Sequence, residues 1–305
     1  MKFNIIKNRK YAYTISVVLF TVSILSLIAW GLKPGLDFTG GSLMELSFSE
    51  ARPQTIELQE VIKPLDLGEV VVQPSGDNNF IIKFKSVSEE DHQKILGEIA
   101  GKYQTENNLI TENRFDSVGP VIGKELQKKA WMAIVLASLC IILYIAFAFR
   151  KISKPVASWK YGITAVIALI HDTIITVGLF SLLGHFMGIE VDGLFITALL
   201  TIIGFSVHDT IVVFDRTREN LGRFYSGKFD EIVNDSVNQT ITRSINTSLT
   251  TLIVLGCLFL FGGDTIKYFS LALLFGIVLG TYSSILVASA LIVDWNLLEK
   301  KLKKK

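Results

Sequence analysis

The residues best suited to chemistry in this chain occur twice in the same order. His171, Asp172 and Thr173 return thirty-seven positions later as His208, Asp209 and Thr210, within IHDTIITV (170–177) and VHDTIVVF (207–214). An imidazole titrates near neutral pH, so each His-Asp pair could carry a proton. Each could instead only cross-link helices by hydrogen bonds. Two His and two Asp could ligate zinc or iron. Adjacent residues on a helix point about 100° apart, however, and no HExxH is present, so no metal or other cofactor is expected. An acid dyad of Asp172 and Asp209 would need both carboxyls at one level, sharing a proton, and no GxGD stands at either site.

Both copies sit in long apolar runs. The chain has 305 residues, half of them hydrophobic, and a mean hydropathy of +0.46, a membrane-protein composition. Six segments are long enough to span, near Tyr11–Leu32, Ala130–Phe149, Trp159–Leu183, Val191–Phe214, Thr242–Phe261 and Tyr268–Val293. The first is read as an anchor, since its apolar core is too long for a signal peptide and no small-x-small site follows. All six prolines fall outside the spans, which predicts uninterrupted helices. Cys140 and Cys257 lie in apolar runs and form no disulfide framework.

Away from their ends the spans hold no Lys, Arg or Glu, and His171, Asp172, His208 and Asp209 are the deep ionisable residues. An Asp near a helix centre costs roughly 2.5–3.5 kcal/mol on insertion scales, so such residues face a bundle interior or a water path. Asp172 is 13 residues past Trp159 and 12 before Gly184, near mid-membrane. Asp209 stands seven residues before Arg216, roughly 10 Å of helix, and belongs nearer the basic side. Ser206 and Thr210 extend a polar seam along its face. The purely apolar part of the fifth span, LIVLGCLFLFGG (252–263), is too short to cross, so the span must recruit TRSINTSLTT before it. That brings Arg243 to the membrane edge at the depth of Asp209, and the two are expected to pair; the alternative is an Arg243 that snorkels to the headgroups. Burial favours the protonated acid and a nearby guanidinium the carboxylate, and such opposed effects leave a group able to change state. Gly276 and Gly280 in the sixth span have GxxxG spacing, which permits close helix approach.

Basic residues cluster at the N-terminus, at 150–160, at 216–243 and in the tail EKKLKKK, which places both termini on the cytoplasmic side. The basic tail could also hold anionic lipid. The expected division is a terminus and first span at 1–32, an external domain at 33–128, a five-helix bundle at 129–293 and a basic tail at 294–305. The external segment has 16 acidic and 10 basic residues and reads β-α-β-β-α-β, a ferredoxin-like α+β domain. LMELSF and NFIIKFK alternate as strands around a PSGDN turn. Ser88 caps a helix whose buried stripe is Ile95, Leu96 and Ile99, with His92 expected at its surface or edge. GLDFTGG (35–41), with Gly35, Asp37, Gly40 and Gly41, follows the first span as a tight turn.

GLDFTGG, VGPVIGKEL (118–126), HDTIITVGLFSLLG, IIGFSVHDTIVVFDRTREN (202–220) and NQTITRSINTSLTT (238–251) closely resemble the SecF family, from about residue 35 to the sixth span. The chain is also similar to the wider resistance–nodulation–division transporter group. The resemblance implies a SecD-like partner, the SecYEG channel, YajC and a translocating unfolded polypeptide as partners, with no nucleic acid. It implies proton-driven assistance to protein export across the inner membrane, not a chemical enzyme. The family's proton-linked Asp and Arg match Asp209 and Arg243, with His171, Asp172 and His208 as secondary candidates. At His208 the family often carries Asn, which leaves open whether Asp209 acts alone. The other reading of the same residues is a stand-alone proton-coupled exporter of small molecules or lipids.

Overall fold

The computed structural model describes residues 3–148, 156–223 and 228–302. Lys2, Arg150, Lys151, Lys154 and Lys303–Lys305, part of the charge bias used for orientation, lie outside the described residues. The chain divides into two compact units, Pro34–Ala130 and the remainder.

In the Pro34–Ala130 unit, a short helix α2 (Leu36–Thr39) leads into β1 (Gly41–Phe48), α3 (Thr55–Ile62), β2 (Val71–Ser75), β3 (Asn79–Phe84), α4 (Glu89–Tyr103) and β4 (Ile110–Val118). The sheet is antiparallel in the order β2-β3-β1-β4, the expected β-α-β-β-α-β arrangement. Period-two alternation puts Met44, Leu46 and Phe48 of β1 and Phe80 and Ile82 of β3 on one face, with Leu46 opposite Phe80 and Met44 opposite Ile82. Ile62 of α3 and Ile95 and Ile99 of α4 complete that core. Ser88 accepts the Asp91 amide and starts α4 as a side-chain cap.

His92 is not at the surface as expected. It is 4% exposed, stacks on Phe115 with centroids 3.7 Å apart, and holds Glu112 at 2.7 Å and Glu89 at 3.1 Å. Positions 88, 92, 95 and 99 share one face at helical spacing, so the imidazole is carried inward with the apolar stripe. Glu89 is held below the usual carboxylate range by hydrogen bonds from Gln93 and then His92.

GLDFTGG is a structural elbow. Gly35 is buried, Asp37 lies in the first turn of α2, and Thr39 donates to the Gly35 carbonyl at 3.0 Å. Gly40 ends α2 at φ +75°, and a Cβ there would lie 2.8 Å from the Pro120 Cα. Gly41 follows at φ +139°, with the Phe84 carbonyl oxygen 2.9 Å from its own would-be Cβ. Both positions require glycine.

In the other unit, α1 (Arg9–Ala29), α5 (Pro120–Ala148, which begins in the first unit), α6 (Ser158–Met187), α7 (Gly193–Arg223) and α8 (Phe229–Phe261) precede a sixth span built from α9 (Asp264–Tyr282), a π-helical turn (Ser283–Ala288) and α10 (Ser289–Leu302). Among the described residues six helices are long and apolar enough to cross a membrane. The sixth is not the uninterrupted α-helix that the absence of proline predicts. The interruption holds no proline; the turn opens on Ser283 and Ser284, and just past it Ser289 donates its hydroxyl to the Ile285 carbonyl inside the turn.

Helices in lipid gain little from apolar burial and pack through small residues. Gly178 of α6 lets Ser23 of α1 approach so closely that a Cβ would overlap it, and Ser26 donates to the Gly178 carbonyl at 3.1 Å. The GxxxG glycines do the same between α7 and α9. A Cβ on Gly276 would meet Ile202, and one on Gly280 would lie 3.1 Å from the Ser206 Cα. Ser284 continues the row with a 2.7 Å bond to Thr210. The pairs 202–276, 206–280 and 210–284 keep a constant separation, so α7 and the sixth span run parallel.

Candidate functional site

The close α7–α9 packing decides what meets at the buried charges. Because Gly280 lacks a side chain, Ser206 reaches past it, and Asp172 lies directly opposite. Ser206 and Ser283 each donate to Asp172 Oδ2 at 2.6 Å, while His171 Nδ1 lies 2.9 Å from Oδ1. Asp172 is 0% exposed, and three hydrogen bonds satisfy the acceptor capacity that burial would otherwise leave costly. His171 is buried beside Phe20, and its Nε2 has no partner.

Asp209 lies three residues beyond Ser206 on α7, one turn or about 4.5 Å along the axis. Because Ser206 bonds Asp172 directly, the two carboxyls differ in depth by about one turn, with Asp209 on the side nearer Arg216. Asp209 is 2% exposed, and its Oδ2 is buried with no hydrogen-bond partner. His208 is turned outward, its side chain 54% exposed; its Nδ1 stands 3.6 Å from Asp209 Oδ1, in ion-pair range but too long for a hydrogen bond.

The expected ion pair between Asp209 and Arg243 is not formed. Arg243 is exposed, and among the described residues no ion pair reaches it from Asp209. The reason lies in the phase of α8. Ser236, Thr240, Ser244 and Ser248, four residues apart, are its buried face, and Arg243 is turned about 100° from Ser244. Ser248 bonds Thr281 of α9 at 2.5 Å, while the Ser244 hydroxyl is buried without a partner.

Sequence reasoning missed Ser283 and Ser284. Ser284 also donates to the Ser206 carbonyl at 3.0 Å. The available signal was a serine pair directly after GxxxG in an otherwise apolar span. It also missed a cluster at the far end of this bundle. Arg9 and Tyr13 of α1 both bind Asp294 of α10, at 2.8 Å each, and Lys160 of α6 binds Glu299. Among the described residues no three His, Cys, Asp or Glu side chains converge as a metal-holding group.

Two family models match the chain: the C-terminal region of the protein export membrane proteins SecD and SecF over residues 99–298, and the SecD/SecF GG motif over 26–51. The chain belongs to the SecF family. The protein translocase subunit SecF of Thermobaculum terrenum is 44% identical, over 96% of this chain and 94% of the relative. That of Synechocystis is 40% identical, over 97% and 95%. The crystal structure of SecDF, a translocon-associated membrane protein from Thermus thermophilus, superposes with a TM-score of 0.81 at 33% identity, covering 97% of this chain and 39% of that longer one. The chain is thus a multi-pass inner-membrane protein, a SecF-like subunit of the Sec translocase. The GG motif that names one model contains the Gly40–Gly41 elbow.

Proposed function

We propose that this chain uses the proton motive force, together with a SecD-like subunit, to assist protein export, and that Asp209 is the carboxyl that exchanges protons. The observation carrying this is the buried Asp209 Oδ2 with no partner. An ionised carboxylate left unsatisfied in a bundle is costly; a proton, or an approaching cation, relieves that cost. Arg243 is the cation we assign to it, brought inward by a turn of α8 or by docking of the second subunit. His208, exposed beside Asp209, and the buried His171–Asp172 pair are secondary carriers. The membrane potential contributes about 2.3 kcal/mol per charge per 100 mV to such a step.

The need for a SecD-like partner is supported by length, since this chain spans 39% of the solved SecDF polypeptide. In this reading the subunit is not an enzyme. It works beside SecYEG and YajC on an unfolded polypeptide, within lipid, with residues 33–128 outside and both termini and the 294–305 tail in the cytoplasm.

The test is Asp209→Asn in inverted membrane vesicles that also contain the SecD-like subunit. The variant should assemble normally and lose the gradient-dependent part of export stimulation. Stimulation that still responds fully to an uncoupler would remove Asp209 from the proton step.

A further inference from the structure

We propose that the π-helical turn Ser283–Ala288 is a movable joint, through which the protonation state of Asp172 controls the α1–α6–α10 clasp at the end of the bundle. Ser283 is its positioning residue. The proposal rests on the reading that Asp172 exchanges a proton, and it adds what that proton would move.

Three observations carry it. Ser283 and Ser284 are adjacent in sequence, yet both reach inward, Ser283 to Asp172 at 2.6 Å and Ser284 to Thr210 at 2.7 Å. The turn that presents them holds one residue too many for an α-helix, and such turns recur at functional sites. Directly beyond it, α10 carries both halves of the clasp: Asp294, bound by Arg9 and Tyr13, and Glu299, bound by Lys160. One element therefore has the buried carboxyl at one end and the clasp at the other. A π turn that relaxes to α would give this element the two discrete arrangements that transmission between sites requires.

The chemistry gives the direction. An ionised Asp172 holds the two serine hydroxyls by charge-assisted bonds, roughly twice as strong as neutral ones. Adding a proton to Asp172 removes that advantage and frees Ser283, whose hydroxyl already has a second acceptor in the Gly280 carbonyl at 3.2 Å. The turn can then relax to α. Taking out one residue's offset rotates α10 by about 100° and shifts it by about 1.5 Å, which draws Asp294 away from Arg9 and Tyr13. The groups around Asp172 are few. His171 faces it from α6, Ser206 from α7 with Asp209 one turn on and His208 turned away, and Ser283 from the sixth span, while α1 contributes the Phe20 ring over His171. Among the described residues no Lys or Arg is bonded to it.

The experiment uses the full chain in liposomes, with Cys140 and Cys257 replaced by alanine and spin labels at the exposed positions Tyr11 and Leu298. Pulsed electron resonance measures their separation from pH 9 to pH 5. A 100° turn moves a side chain on the rim of a helix 10–12 Å across by roughly 8 Å, so a second, displaced distance should grow as the pH falls. Asp172→Asn should show the displaced distance at every pH. Ser283→Ala should do the same, and Ser283→Thr, which keeps the hydroxyl, should restore the pH response. Deleting Leu286 should fix a single distance that ignores pH. Infrared difference spectra of the parent against Asp172→Asn report separately whether Asp172 takes up a proton. A titrating Asp172 with an unmoved α10 overturns the joint and leaves the proton reading intact. An Asp172 that never titrates sinks both. A Ser283→Ala that lowers stability without changing the distance would make Ser283 merely structural.

Discussion

The two His-Asp-Thr copies have the same letters and opposite surroundings. In the first, Asp172 has both oxygens occupied, and Thr173 bonds back to its own helix at the Leu169 carbonyl. In the second, Asp209 keeps one oxygen unpartnered, and Thr210 reaches across to Ser284. The histidines exchange places as well, with His171 buried and His208 outward. Three consecutive residues sweep about 200° around a helix. The inward arc of α6 centres on His171 and Asp172, while that of α7 centres on Asp209 and Thr210. A difference in rotational phase of about one residue step, roughly 100°, thus turns the same triplet from a fastened carboxylate into an unfastened one.

The sharpest way to break this comparison is to remove each carboxyl. Asp172→Leu strands the buried Ser206 hydroxyl and a histidine nitrogen and leaves Ser283 only its longer bond to the Gly280 carbonyl, so it should cost about 2–3 kcal/mol. Asp209→Leu removes an atom with nothing to bond and should be neutral or stabilising. Denaturant titration of the two variants in detergent decides it, and equal losses would erase the distinction. A second test moves Ser206 away from Asp172. Gly276→Leu drives a side chain into Ile202 at the α7–α9 contact and should cost about 1–3 kcal/mol by overpacking. Gly204→Ala, with nothing within 4 Å of its Cβ, should stay within about 0.5 kcal/mol in the same assay.

The histidines should separate by less. His171→Ala gives up one bond to a charged group, about 1.5 kcal/mol, whereas His208→Ala should fall within about 0.5 kcal/mol in thermal unfolding. The smallest effect lies outside the spans, where His92 shows a buried imidazole with both nitrogens occupied. Glu89 titrates below its unfolded value, so its stabilising contribution is present at neutral pH. It is lost as the pH falls through that lowered folded value. Hydrogen exchange in the first turn of α4 should quicken in that acid range, and Glu89→Gln should remove the pH dependence.

Much of this was legible in the letters. Apolar run lengths gave six spans, and alternation in LMELSF and NFIIKFK gave a sheet whose buried faces are Met44, Leu46, Phe48, Phe80 and Ile82. The burial of Asp172 and Asp209 followed from the cost of charge in hydrocarbon. Rotational phase could not be read. In lipid the inward face of a helix is set by small and hydroxyl residues rather than by an apolar stripe, so the row Ser236, Thr240, Ser244 and Ser248 turns inward on α8, whereas an expectation built on charge puts Arg243 there. The role of Ser283 depended on a π turn that composition does not announce. For His92, polarity argues for the surface, but its place on the Ile95–Ile99 face of α4 carries it inward.

The tie between the two ends of the chain bears on how it is made. Phe3 bonds Asn238, 235 residues further on, and Tyr13 bonds Asp294, 281 residues further on. Residues that leave the ribosome early must wait, undocked, for partners that leave late, which makes closure of the bundle a high-contact-order event. A product cut short before α10 would keep the Phe3–Asn238 bonds but leave Arg9 and Tyr13 without the Asp294 carboxylate. The bonds to Asp294 are therefore what a finished bundle has and a truncated one lacks.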